Sequence, residues 1–125
     1  PSGSDFISWH GFKSYPLPIQ SPFPVVMGGV KGKIFKRTAQ LGNGWFAPSG
    51  DPTELKGHMD SLRKECDAIG RDLSEIEITC MWPGVGGKEF LAELEAVGVT
   101  RVVMPMMGEG DPVERLHKVA EQVIA

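Results

Sequence analysis

Pro24-Val25-Val26-Met27-Gly28-Gly29-Val30-Lys31-Gly32-Lys33-Ile34-Phe35-Lys36-Arg37-Thr38-Ala39-Gln40-Leu41-Gly42-Asn43-Gly44-Trp45 is the stretch whose reading decides the fold. Its apolar run, Val25 to Met27, reads as a strand that stops at the Gly pair. Residues 31–41 then read as a helix, Gly42-Asn43-Gly44 as its cap and turn, and Trp45-Phe46-Ala47 as a new strand. A strand ending in Gly-Gly and feeding a helix presents bare backbone N–H groups at a positive helix N-terminus. That geometry holds a phosphate. The same glycines also read as a plain tight turn, and Lys31 and Lys33 as either anion-reaching point charges or part of a solvated basic face with Lys36 and Arg37.

Downstream, the alternation continues. Asp51-Pro52-Thr53-Glu54 has the residues of a helix start: an N-cap carboxylate, Pro at the first helical position and Glu at the third. Leu55, Met59, Leu62, Cys66 and Ile69 follow at helical spacing, and Gly70 closes the segment. Ile76 to Trp82 reads as a third strand, residues 88–97 as a helix, and Arg101 to Met106 as a fourth strand. Asp111-Pro112-Val113-Glu114 repeats the helix start, with Leu116, Val119, Ala120 and Val123 on one face. The order β-α-β-α-β-α-β-α implies parallel strands joined by right-handed crossovers. Pattern alone fits either a small doubly wound sheet or half of an eight-unit barrel.

Upstream, residues 1–23 form an irregular lead-in whose prolines Pro16, Pro18 and Pro22 argue against a helix. Phe6, Ile7, Trp9 and Phe12 read as a short strand or an apolar flap. The chain has 125 residues, enough for one core, and residues 24–125 read as a single domain. A net charge of −3 gives no electrostatic reason to expect nucleic acid or an acidic membrane surface. No apolar run approaches the roughly 20 residues that span a bilayer. Cys66 and Cys80 read as reduced, buried thiols of a cytoplasmic protein.

Pro22-Phe23-Pro24-Val25-Val26-Met27-Gly28-Gly29, followed after twelve residues by Gly42-Asn43-Gly44-Trp45-Phe46, resembles the luciferase-like monooxygenase superfamily, and within it the deazaflavin (coenzyme F-420)-dependent oxidoreductases. Asp51 to Leu55, Ala68-Ile69-Gly70-Arg71-Asp72, Ile76-Glu77-Ile78 and Leu94 to Val103 agree with it in order and spacing. Asn43, where the family more often has Asp, and Val30-Lys31-Gly32-Lys33, where Ser and Arg are common, depart from it.

The resemblance implies four βα units forming the carboxy-terminal half of a TIM-type (β/α)8 barrel. It implies an oxidoreductase family that transfers hydride through F-420, with FMN as the alternative cofactor. It also places the cofactor's phosphate-bearing tail beside Met27, Gly28 and Gly29. Lys31, Lys33 and Ser49 complete the expected cofactor-binding set; Ser49 ends a strand on the face where barrels place their sites. Loop 84–87 beyond Trp82 and loop Met107-Gly108-Glu109-Gly110 share that face, each reading also as a simple connection. The usual acid/base of the family belongs to the other half, so no catalytic residue is assigned here. His10, His58 and His117 lack metal-ligand spacing, and His58 and His117 read as exposed helix residues.

Four parallel strands do not close a barrel, so both edges carry unpaired backbone groups. The expected partners are the amino-terminal barrel half or a second copy, making a homo-oligomer. The alternative is a small non-catalytic α/β module that binds an anion or self-associates.

Overall fold

The computed structural model describes residues 11, 13, 15–82, 84–105 and 110–124. Among them, regular structure begins at strand β1 (Val26–Gly28) and runs through α1 (Ile34–Leu41), β2 (Gly44–Ala47), α2 (Pro52–Asp67), β3 (Glu77–Met81), α3 (Gly87–Ala96), β4 (Arg101–Val103) and α4 (Pro112–Val123). The expected strand or flap at Phe6 to Phe12 lies outside the described residues.

The helix starts follow from side-chain chemistry. Asp51 Oδ1 accepts from the backbone N–H groups of Thr53 (2.8 Å) and Glu54 (3.0 Å), and Asp111 Oδ1 from that of Val113 (2.9 Å). Each carboxylate satisfies donors that the helix itself leaves orphaned. The first helix departs from its expected start at residue 31. Gly32 has φ +67°, and Lys33 is a non-helical N-cap, so α1 begins only at Ile34.

The Ala68-Ile69-Gly70-Arg71-Asp72 motif acquires a physical reason. Gly70 takes φ +69°, which turns the chain back after α2. Arg71 Nη1 then reaches across to donate to the carbonyls of Ala39 (2.8 Å) and Thr38 (3.3 Å) at the end of α1. That cation caps the negative end of a helix with no basic residue of its own in the last turn. Asp72 accepts from the Ser74 backbone N–H at 2.8 Å, which holds its carboxyl below the usual carboxylate range and opens a short 3-10 turn, Leu73–Glu75.

All four strands are parallel, in the spatial order β1-β2-β3-β4. A doubly wound sheet reverses its growth at a switch point. This one grows in a single direction, and right-handed crossovers then place every helix on one face. The fold is therefore α/β with four βα units arranged as in half of a (β/α)8 barrel.

The register rows separate the two faces. Trp45 aligns with Ile78, and Ala47 with Cys80; all four are buried under the helices. On α2, Leu55, Met59, Leu62 and Cys66 supply the facing layer, each large apolar side chain contributing about 1.5–3 kcal/mol by its removal from water. The alternate residues point to the opposite face. There Thr79 is buried at the centre, but Val26 and Val103 on the edge strands are 54% and 41% exposed. In α4, Val119 and Val123 pack on the core, whereas Leu116 is exposed, contrary to the expected apolar face. The helix follows an edge strand, so only one flank of it meets packed neighbours.

Candidate functional site

A parallel sheet delivers all its strand ends to one rim. Here Gly28, Ala47, Met81 and Val103 end there, followed by the connections that start at Gly29, Pro48, Trp82 and Met104. Barrel enzymes build their sites on this rim.

At the end of β1 the chain makes the expected Gly-Gly turn. Gly28 is exposed, and a Cβ built on it meets no atom within 4 Å. Packing within the described chain therefore does not require glycine there, and the space above it is open. Gly29 has φ +106°, a conformation that only glycine adopts without strain. Its carbonyl accepts a 2.9 Å hydrogen bond from Nε1 of Trp45. Lys31 and Lys33 are exposed beyond the turn. No side chain caps α1, and no carboxylate stands in its first turn.

The expected residues are not all brought together. Met27 shares the register row of Trp45 and hence the helix-covered face, so only its backbone faces the turn. Ser49 is half-buried, and its hydroxyl accepts from the Asp51 N–H at 3.2 Å, shaping the entry to α2. It lines a separate apolar cleft of about 490 Å³ with Asp51, Met81, Trp82, Val85 and Phe90, and none of residues 27–33 contributes to that cleft. Trp82 Nε1 donates to the Val85 carbonyl at 3.0 Å, which folds the 84–87 loop over one side of it. Residues 107–109 of the other expected loop lie outside the described residues.

Two residues carry more than their sequence suggests. Trp45, read as a strand residue, is fully buried and supports the Gly29 carbonyl. His58 is half-buried rather than exposed: its ring lies 5.9 Å from Trp45 and 5.7 Å from Phe35. Asn43 ties the same region together. Its Oδ1 accepts from the Val25 N–H at 2.9 Å, so the amide oxygen makes a bond that a carboxylate would also make. The Gly-Asn-Gly-Trp run was the available signal for both Asn43 and Trp45.

Among the described residues, neither cysteine nor any metal cluster competes with this reading. Burial raises the thiol pKa of Cys66 and of Cys80, which keeps both as inert thiols. Among the described residues no group of three or more His, Cys, Asp or Glu side chains is placed to hold a metal, and no helix is long and apolar enough to cross a membrane.

A family model described as luciferase-like monooxygenase matches residues 3–85. Among solved structures, the coenzyme F-420-dependent tetrahydromethanopterin reductase of Methanopyrus kandleri has a similar fold, with a TM-score of 0.67 at 15% sequence identity. The match covers 83% of this chain and 51% of that one, so the chain spans about half the length of that relative. No curated protein matches it.

Proposed function

This chain belongs to the luciferase-like monooxygenase family, and from that premise we propose that it is the carboxy-terminal portion of a deazaflavin-dependent oxidoreductase. Its part in the reaction is to hold the phosphate-bearing tail of the cofactor at the Gly28–Gly29 turn. The observation that carries this reading is the open space at Gly28, on the rim of the sheet, beside a glycine in a left-handed conformation.

The residues present fit an anionic tail. At Gly28 nothing occupies the place of a Cβ, so a ligand's oxygens approach the backbone directly. Lys31 and Lys33 bring two cations to a helix start that has no acidic residue to neutralise them. Cations there oppose the helix dipole, and a bound anion offsets both. When bound, the deazaflavin supplies the hydride chemistry, accepting a hydride from an organic substrate or delivering one. The chain's own residues bind and orient: the Gly pair and lysines hold the tail, and the Ser49–Phe90 cleft offers an apolar wall further along the rim.

The choice of F-420 over FMN follows the resemblance and the cofactor that the Methanopyrus reductase is described as using. The open face at Val26 and Val103 and the two edge strands are the surfaces that the other barrel half, or a second copy in a homo-oligomer, covers.

Gly28→Val tests the site. The Cβ of the new side chain enters open space, with no atom within 4 Å, so the melting temperature is expected to stay close to that of the parent. Titration with F-420 shows binding in the parent and none in the variant. Unchanged affinity in the variant removes Gly28 from the site.

A further inference from the structure

We infer that Trp45 is a positioning residue of the Gly28–Gly29 turn, aiming the Val30 backbone N–H at the anion through the indole N–H rather than through any contact with the ligand. The functional meaning of this inference rests on the phosphate reading above, but the geometry behind it does not.

Gly29 has no side chain to hold its conformation, and glycine is the residue with the most freedom to leave it. Its carbonyl is held instead by Trp45 Nε1 at 2.9 Å. The indole has little freedom of its own. It is fully buried in β2, with the Phe35 ring packed edge-on at 5.5 Å and the His58 ring at 5.9 Å. A buried N–H without an acceptor is costly, so the bond to Gly29 is strongly favoured over its absence.

Peptide planarity carries the constraint onward. In a trans peptide the C=O of one residue and the N–H of the next point in opposite directions. With the Gly29 oxygen tied inward to the buried indole, the Val30 N–H faces away from it. One side chain sixteen residues downstream thus sets the direction of a donor at the turn. Positioning of this kind lowers the ordering cost that a flexible glycine loop otherwise imposes on binding.

The test replaces Trp45 with benzothienylalanine, which keeps the shape of the indole but has no ring N–H. Trp45→Phe is a second variant that removes the same donor. Backbone order parameters of Gly28 to Gly32 are measured by NMR, and inorganic phosphate is titrated against the Val30 amide signal. The parent turn is expected at the rigid value of about 0.85 and both variants at below about 0.6. Phosphate affinity falls about five- to tenfold, the equivalent of one lost hydrogen bond. In the benzothienylalanine variant, which keeps the core filled, exchange protection in β3, at Ile78 and Thr79, stays as in the parent.

Unchanged order parameters at the turn overturn the inference. So does a loss of protection in β3 of the benzothienylalanine variant, which marks a general loss of stability. A parent whose amides ignore phosphate sinks the phosphate reading alone, because the order parameters still decide the role of Trp45.

Discussion

Trp45→Ala lowers the free energy of unfolding by about 3–5 kcal/mol, the range for truncating a fully buried Trp. The side chain is fully buried among three elements: it stands in β2, with α1 reaching it through Phe35 and α2 through His58. Truncation leaves a cavity that the short strands cannot collapse around, and it strands the Gly29 carbonyl without its donor. Domains of this size have about 5–15 kcal/mol in total, so the variant stands near the edge of folding. Equilibrium denaturation measures the effect. A loss below about 1 kcal/mol contradicts the placement of Trp45 at the centre of the core.

Gly50→Ala is the second large effect, and its cause is different. A Cβ on Gly50 overlaps the carbonyl oxygen of Met81 and comes within 3.2 Å of the carbonyl carbon. Both are backbone atoms at the end of β3, where the next residue, Trp82, donates its N–H to the Val103 carbonyl at 2.9 Å. Neither can rotate aside as a side chain would. The strain is about 1–3 kcal/mol, the range of overpacked sites. It also moves a wall of the apolar cleft, since Gly50 and Met81 both line it. The same substitution at Gly28, which has open space around it, serves as the comparison and leaves stability within about 0.5 kcal/mol. Equal losses at the two positions contradict the distinction between a glycine that packing requires and one that it does not.

What was legible in the sequence follows the range of the interactions involved. The starts of α2 and α4 were readable because Asp51 and Asp111 bond to N–H groups two or three residues away. The alternation of strands and helices was readable for the same reason, as periodicity is local. Strand order is not local, so periodicity left a doubly wound sheet and a barrel wall equally open; the family resemblance pointed to the barrel, and the sequential β1-β2-β3-β4 arrangement agrees with it. Arg71 stood in a recognisable motif, yet its work is done on Thr38 and Ala39, more than thirty residues away.

The site divides in the same manner. Gly28 and Gly29 announced themselves as a pair between a strand and a helix. Ser49 was grouped with them by its place on the rim, but it lines a different cleft and bonds to its own helix start. His58 was placed on an exposed helix face because nothing in the local pattern marks an aromatic neighbour on another element. The late start of α1 depends on the positive φ of Gly32, a torsion that composition permits but does not require.

The phosphate-bearing tail of a deazaflavin is proposed to sit at the end of β1. Titrating the protein with coenzyme F-420, and separately with the same deazaflavin lacking its phosphate-bearing tail, tests it most directly. Binding about tenfold or more tighter is expected for the intact cofactor, the least that one charge-assisted hydrogen bond to a phosphate contributes. Equal affinity for the two compounds would contradict it.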